Sequence, residues 1–193
     1  MLIGNGRRTS ASLVFLIAIL GVIVAACGTD DGVAAAGGSA GSVSLRTIID
    51  DGRTWSVDDF KVDSASAAGV KTSKEYDITD LPSADSAWKL LFNRKDFEAR
   101  FYPDHATAIS AGTKWAESVS GDEADVVGNN VLWEVGRNDR RQCNRAAETP
   151  HSSCSYTARY GDYVIQGNMI LLCEGPNSEE ALKECKKLLE VIS

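Results

Sequence analysis

The sequence predicts an α+β fold: a single domain with a mainly antiparallel sheet and two or three helices packed on it. Two apolar runs flank Gly167-Asn168, a residue pair typical of a two-residue hairpin turn. Before this hairpin, Lys95–Tyr102 alternates in the manner of a strand, and after it a helix begins at the capping residue Asn177. Both faces of the hairpin are largely apolar, so we expect it to lie in the middle of the sheet.

Weaker patterns precede Lys95. Short extended segments are predicted at Leu45–Ile49, Thr54–Val57 and Glu75–Ile78. A helix is predicted from Ser83, its N-cap, to about Phe92, because the apolar residues between them recur at helical spacing.

The strand at Lys95–Tyr102 leads into a second predicted helix, with Asp104 as its N-cap and Gly121 at its end. Gly112 lies in the middle of this helix, where glycine costs about 1 kcal/mol relative to alanine, and we expect it to allow close packing on the sheet. The alternation places the strand's side chains in two sets, Phe97, Ala99, Phe101 and Glu98, Arg100, Tyr102.

The last third of the chain is predicted to complete the sheet. Val131–Val135 is expected to be a strand. Across the hairpin turn, Ile165 should pair with Ile170 and Gln166 with Met169. The final helix should bury the stripe formed by Ala181, Cys185, Leu188 and Ile192.

The N-terminal end has the organisation of an exported precursor. Arg7 and Arg8 precede an apolar run that ends at Ala26 and is shorter than the ~20 residues of a permanent membrane-spanning helix. The junction Val24-Ala25-Ala26-Cys27 resembles the lipobox of bacterial lipoproteins. The resemblance implies cleavage after Ala26, acylation of Cys27, and residence at the extracytoplasmic face of the cell membrane. An ordinary secretory signal or an uncleaved anchor is the alternative.

We therefore expect three regions: a signal peptide at residues 1–26, a lipidated flexible tether at 27–44 and a globular domain at 45–193. The tether is assigned because this segment consists mostly of Gly, Ala, Ser and Asp. The signal peptide carries two basic residues and no acidic one, so its removal changes the net charge from −7 to −9. This acidity argues against binding to nucleic acid.

Four cysteines remain besides Cys27, and an even number in an exported protein favours two disulfides. Neighbours along the chain predict the bridges Cys143–Cys154 and Cys173–Cys185. The second is favoured because Cys185 falls on the sheet-facing stripe of the final helix. A four-cysteine zinc site is the alternative, but the spacings contain no C-x-x-C pair, so no metal is expected.

His105 and His151 are the only histidines, and thus the candidates for a catalytic base. His105 directly follows a helix cap, and His151 lies in a polar loop. The sequence contains no nucleophile elbow, phosphate-binding loop or zinc-protease motif. We predict no catalytic residue and no cofactor.

An otherwise acidic chain carries four arginines within nine residues: Arg137, Arg140, Arg141 and Arg145. Guanidinium groups suit carboxylates and phosphates, so this segment is the candidate anion-binding site. The alternative is a solvated loop, or arginines paired internally with Asp139 and other acids.

These expectations favour a membrane-anchored envelope lipoprotein that acts as a non-catalytic binding or interaction module. Its partners would be the membrane, through the lipid on Cys27, and an envelope protein or a small anionic ligand. Two alternatives stay open: a cell-envelope hydrolase that uses His105 or His151, and a structural or assembly component of the envelope.

Overall fold

The fold is organised around two sheets, and the computed structural model describes residues 47–144 and 155–193 of the chain. The strands are β1 (Ile48–Ile49), β2 (Lys71–Glu75), β3 (Ser86–Phe92), β4 (Lys95–Phe101), β5 (Arg141–Asn144), β6 (Ser155–Ala158), β7 (Tyr160–Gln166) and β8 (Met169–Glu174). Six of them form the main sheet in the order β1-β7-β8-β4-β3-β2, and β5 pairs with β6 in a small second sheet. Among the strands of the described residues, only β1 and β7 are parallel neighbours, so the prediction of a mainly antiparallel α+β domain is confirmed.

Helices lie on both faces of the main sheet. They are α1 (Asp63–Ala67), α2 (His105–Thr107), α3 (Thr113–Glu117) and α4 (Ser178–Ile192), with a π-helical turn at Ala108–Gly112 that joins α2 to α3 and 3₁₀ turns at Val57–Phe60 and Gly128–Asn130. The face under α4 and α1 is apolar, with Phe97, Leu171 and Leu188 at its centre. The other face lies under α2 and α3, and it combines apolar residues with buried charges.

The central hairpin forms as the sequence predicts. β7 and β8 pair Ile165 with Ile170 and Gln166 with Met169, and they occupy the middle of the main sheet. The turn residue Gly167 has φ +52°, a conformation that glycine adopts at little cost. The turn chemistry therefore fixes the register of two strands whose side chains are almost all buried.

The helix predicted from Ser83 to Phe92 is wrong, since this segment contains strand β3. Ala84, Ala87, Trp88 and Leu91 recur at helical spacing, whereas Trp88, Leu90 and Phe92 recur at strand spacing, and pairing with β4 decides the outcome. Asn93 and Arg94 both have positive φ (49° and 64°), which is typical of the type I′ turn of a two-residue hairpin. Because this turn contains no glycine, it lacks the residue pair that would predict a hairpin from the sequence.

The strand predicted at Val131–Val135 is also absent: this described segment is irregular. Trp133 anchors it to the charged face of the main sheet, where its side chain is 1% exposed and its ring lies edge-on to Tyr76 at 5.9 Å. The burial of one large aromatic side chain, rather than backbone pairing, holds this segment in place. The segment predicted at Glu75–Ile78 begins where β2 ends.

The predicted cap and glycine of the second helix are both confirmed. Asp104 accepts a hydrogen bond from the backbone N–H of Thr107 at 2.7 Å. A Cβ atom on Gly112 would stand 2.5 Å from Ile170 Cδ1 and 2.6 Å from the hydroxyl of Tyr102. The helix thus contacts the sheet more closely at Gly112 than a residue with a side chain would permit.

Helix α4 follows the predicted pattern. Asn177 caps it by accepting from the N–H of Glu180 at 3.0 Å, and the four stripe residues predicted to face the sheet are buried. The predicted Cys173–Cys185 bridge is confirmed, with a Cα–Cα distance of 5.5 Å. Cys143 is also disulfide-bonded, whereas Cys154 lies outside the described residues, so the Cys143–Cys154 pairing stays a prediction.

The segment before the first 3₁₀ turn is held at two points. Strand β1 is short, and the carbonyls of Thr47 and Ile49 accept from the N–H groups of Ile165 and Gly167 at 3.0 and 2.8 Å. Further along, Asn168 Oδ1 accepts from the N–H of Trp55 at 2.6 Å, and Asn168 Nδ2 donates to the carbonyl of Trp55 at 3.1 Å. The hairpin turn therefore serves as the attachment site of this segment.

Candidate functional site

The three described arginines of the segment predicted to bind an anion do not share one surface. Arg137 makes an exposed ion pair with Glu134 at 2.9 Å. The guanidinium of Arg141 lies 4.2 Å from the ring centre of Tyr156. Arg140 is 1% exposed and paired inside the protein, and Arg145 lies outside the described residues. For Arg140, the geometry matches the alternative interpretation of internal pairing.

Arg140 belongs to a buried charged cluster, the Glu98 cluster, formed by Glu98, Arg100 and Arg140. Glu98 Oε1 accepts from Arg100 Nε at 2.7 Å, and Oε2 accepts from Arg140 Nε at 2.8 Å. Glu98 and Arg100 are fully buried. Burial alone would raise the pKa of the Glu98 carboxyl, but the charges of Arg140 and Arg100 outweigh it and hold this pKa below its usual value.

Backbone carbonyls and aromatic rings complete the surroundings of Arg140. Its Nη1 donates to the carbonyls of Trp133 and Val135 at 3.1 and 2.6 Å. The ring centre of Trp133 lies 3.9 Å from the guanidinium carbon of Arg140 and 5.2 Å from that of Arg100. Trp133 thus lies against both guanidinium groups, where the face of an indole attracts a cation.

A rim of ion pairs surrounds the Glu98 cluster. Asp139 pairs with Lys74 and Lys89 at 3.1 and 3.3 Å. Lys89 also pairs with Asp96 at 2.9 Å. Asp96 and Glu174 in turn contact Arg159 at 3.3 and 3.6 Å. The rim therefore ties β2, β3, β4 and β8 to the loop that carries Arg140.

His105, the histidine that the structure describes, has a structural contact. Its Nδ1 lies 2.7 Å from the carbonyl oxygen of Gly167, so the ring N–H donates to the hairpin turn. This bond links the start of α2 to the turn. His151 lies outside the described residues, so its predicted candidacy stays untested.

An apolar groove, the α4 groove, lies between α4 and the edge of the main sheet formed by β1 and β7. Its volume is about 740 Å³, within the range of small-molecule sites. Apolar side chains of Ile49, Val164, Leu182 and Leu189 line it, together with two basic and two acidic residues, Lys183, Lys186, Glu179 and Glu190. The groove also includes Thr47, the first residue that the structure describes.

Neither the Glu98 cluster nor the α4 groove is predicted by the sequence patterns. Alternation showed that Glu98 and Arg100 share a face of β4, which is also the pattern of a strand with one solvated face. The distinguishing signal was the large residue Tyr102 on that same face, which indicates burial. The groove has no local signal, because it is formed by residues from the two ends of the domain.

These observations define a small α+β domain with an internal ion-pair cluster and a surface groove. No helix among residues 47–144 and 155–193 is both long and apolar enough to span a membrane. In the same part of the chain, no three His, Cys, Asp or Glu residues are grouped so that they could hold a metal ion. The chain belongs to DUF6810, a family of unknown function that it matches over residues 58–193. No curated protein and no solved structure matches it.

Proposed function

We propose that this protein is a lipoprotein held at the extracytoplasmic face of the membrane by acyl chains on Cys27, and that its domain is a non-catalytic binding module. The lipobox-like junction before Cys27 supports the anchor. The Cys173–Cys185 disulfide supports export, because such bridges persist in oxidising compartments. The binding surface is the α4 groove, and its ligand is a single-chain amphiphile with an anionic head.

The apolar floor of the α4 groove carries this proposal. Leu182 and Leu189 are only partly buried in the domain, and Ile49 is 45% exposed. Apolar side chains that converge on one concave surface gain stability when a ligand removes them from water. Each methylene of an acyl chain that enters such a groove contributes about 0.8 kcal/mol.

The rim of the α4 groove supports an anionic head on the ligand. Lys183 contacts Glu179 and Glu180, each at 2.9 Å, and these pairs raise its pKa. Lys186 is 76% exposed, and its pair with Glu190 is 3.8 Å long. A direct charged hydrogen bond is about 2.8 Å long, so Lys186 is the residue that can pair with a carboxylate or phosphate at the mouth of the groove.

The position of the groove supports a ligand from the membrane. Nineteen residues separate Cys27 from Thr47, which lines the groove. If these residues form the flexible tether that their composition predicts, they would span on the order of 20 Å. An acylated Cys27 would then keep the domain within reach of the bilayer surface, where single-chain lipids are concentrated.

Calorimetric titration with fatty acids of increasing length tests the binding function. The full mature chain carrying Cys27→Ser is used, so that no acyl chain of its own competes. Affinity should rise about fourfold per methylene until the groove is filled. Leu182→Gln should reduce the affinity at least tenfold, whereas Leu132→Gln, a matched change at a residue outside the groove, should not. Equal binding by both variants, or no binding by the wild type, would refute the assignment.

The head-group interaction needs a separate comparison. Fatty alcohols of the same lengths should bind more weakly than the acids, and Lys186→Gln should remove this difference. If acids and alcohols bind equally, the ligand is apolar and the prediction of an anionic head group is wrong.

Labelling with an alkyne analogue of palmitate tests the anchor independently. Cys27→Ser should abolish the label and leave an uncleaved precursor. Label that survives this substitution would exclude acylation at Cys27 and leave the groove proposal unaffected.

A further inference from the structure

The Glu98 cluster carries an uncompensated positive charge. Two guanidinium groups, Arg100 and Arg140, share the single carboxylate of Glu98, and all three side chains are at most 1% exposed. In the surrounding rim described above, three basic residues are paired with three acidic ones. Within the described part of the chain, the rim is therefore balanced and the centre has a surplus of one positive charge.

The same cluster contains donors without hydrogen-bond partners. Among the described residues, Arg100 Nη1 and Nη2 and Arg140 Nη2 are buried and unpaired, as are Trp133 Nε1 and the hydroxyl of Tyr160. An unpaired buried polar group destabilises the folded state, and a charged one does so more strongly. Native interiors rarely retain so many unsatisfied atoms together, and a bound water or ion is the usual reason for them.

These donors lie close to one another. Both guanidinium groups contact opposite oxygens of Glu98 and the same Trp133 ring. The hydroxyl of Tyr102 lies close to Arg100, and the charge of Arg140 acts on Tyr160. Unpaired donors from β4, β7 and the loop of Arg140 thus surround one buried region.

We propose that this region binds one small monovalent anion of the size of chloride. Guanidinium and indole groups donate hydrogen bonds and accept none. A water molecule could donate its hydrogens to the tyrosine hydroxyls or to the remaining lone pairs of Glu98, but it would leave the surplus positive charge in place. An anion needs only donors, and a single negative charge neutralises the surplus that Arg100 and Arg140 leave.

The packing limits the size of this anion. Arg100 and Tyr102 are fully buried, and the hydroxyl of Tyr102 fills the space where a Cβ of Gly112 would stand. The site is therefore closed by the helix that crosses the sheet. It is distinct from the α4 groove, which lies on the other face of the sheet.

Bromide replaces chloride and scatters anomalously, so crystals of the mature protein soaked in sodium bromide test the proposal. We expect an anomalous peak within about 3.5 Å of the unpaired nitrogens of Arg100 and Arg140. Absence of that peak, with waters in its place, would overturn the proposal.

Thermal unfolding provides a second readout that needs no crystal. At constant ionic strength, Tm should rise by about 5–10 °C when gluconate is replaced by chloride at a hundredfold excess over its Kd. Arg100→Met removes the surplus charge and should abolish this dependence, whereas Arg137→Met, at an exposed arginine, should retain it. If Arg100→Met does not fold, the bromide peak of the wild type decides the question. Equal Tm values of the wild type in both salts would refute the site.

Discussion

Replacement of Glu98 by glutamine should be the most destabilising single-atom change in the described part of the chain. Glu98→Gln keeps the shape of the side chain but removes the charge that Arg100 and Arg140 share. Loss of one partner from a buried ion pair typically costs about 3–5 kcal/mol, because the remaining charges stay buried. Two charged hydrogen bonds at about 1.5–3 kcal/mol each give a similar total.

This loss is measurable by urea denaturation followed through tryptophan fluorescence. With a urea m-value of about 2 kcal/mol/M, the midpoint should fall by about 2 M. Glu134→Gln is the matched control, since it removes an exposed ion pair with Arg137, and it should cost less than about 1 kcal/mol. Measurements in gluconate prevent an added anion from masking the difference. A Glu98→Gln midpoint within about 0.3 M of the wild type would refute the assignment of Glu98 as the shared counter-ion.

The pH dependence gives a further check on the same residue. The folded protein holds the pKa of Glu98 below its usual value, so the folded state binds this proton less readily than the unfolded chain does. The contribution of Glu98 to the free energy of unfolding is present above the pKa of the unfolded chain, about 4.3. It disappears as the pH falls through the lower pKa of the folded state. Wild-type stability should therefore decline on acidification below about pH 4.5, and Glu98→Gln should show a shallower decline.

Three other perturbations have definite expected outcomes. Gly112→Ala should lower Tm despite the better helix propensity of alanine, because overpacking costs about 1–3 kcal/mol and the new Cβ would stand 2.5 Å from a core isoleucine; an unchanged or higher Tm would contradict the close packing. Joint replacement of Cys173 and Cys185 by alanine should cost about 3 kcal/mol, measured by calorimetry against the oxidised wild type, since the bridge closes a short loop. Asn168→Ala should cost about 2–4 kcal/mol, because it leaves both backbone groups of Trp55 without their buried partner; an equal loss from Asn138→Ala, at an exposed loop asparagine, would show that the effect is not specific.

Local patterns predicted the fold where they were long and unambiguous. The hairpin at Gly167-Asn168 and helix α4 have turn and capping residues that act within a few positions of the chain. The segment at β3 has no such residues, and its apolar spacing suits helix and strand alike. Pairing with β4, which no local pattern reports, decided its structure.

The site was less predictable for the same physical reason. The arginine-rich segment stood out in the sequence, but the partner of Arg140 is Glu98, which is 42 positions away in the chain. A contact over that separation depends on the whole sheet being in place. Trp133, read as part of a strand, instead inserts between the loop and the sheet and fixes the position of Arg140.

The two attachment points of the N-terminal segment imply a mechanical property. A load applied at Thr47 would first meet the few hydrogen bonds of β1, which can be peeled from the edge of the sheet without opening the core. The load would then act on Trp55, whose indole ring is buried and whose backbone makes two hydrogen bonds with the Asn168 side chain. Released residues 47–54 would span at most about 27 Å when fully extended, at ~3.4 Å per residue. Under tension, residues 47–54 should therefore detach first, and the hydrogen bonds of Trp55 should keep the main sheet intact.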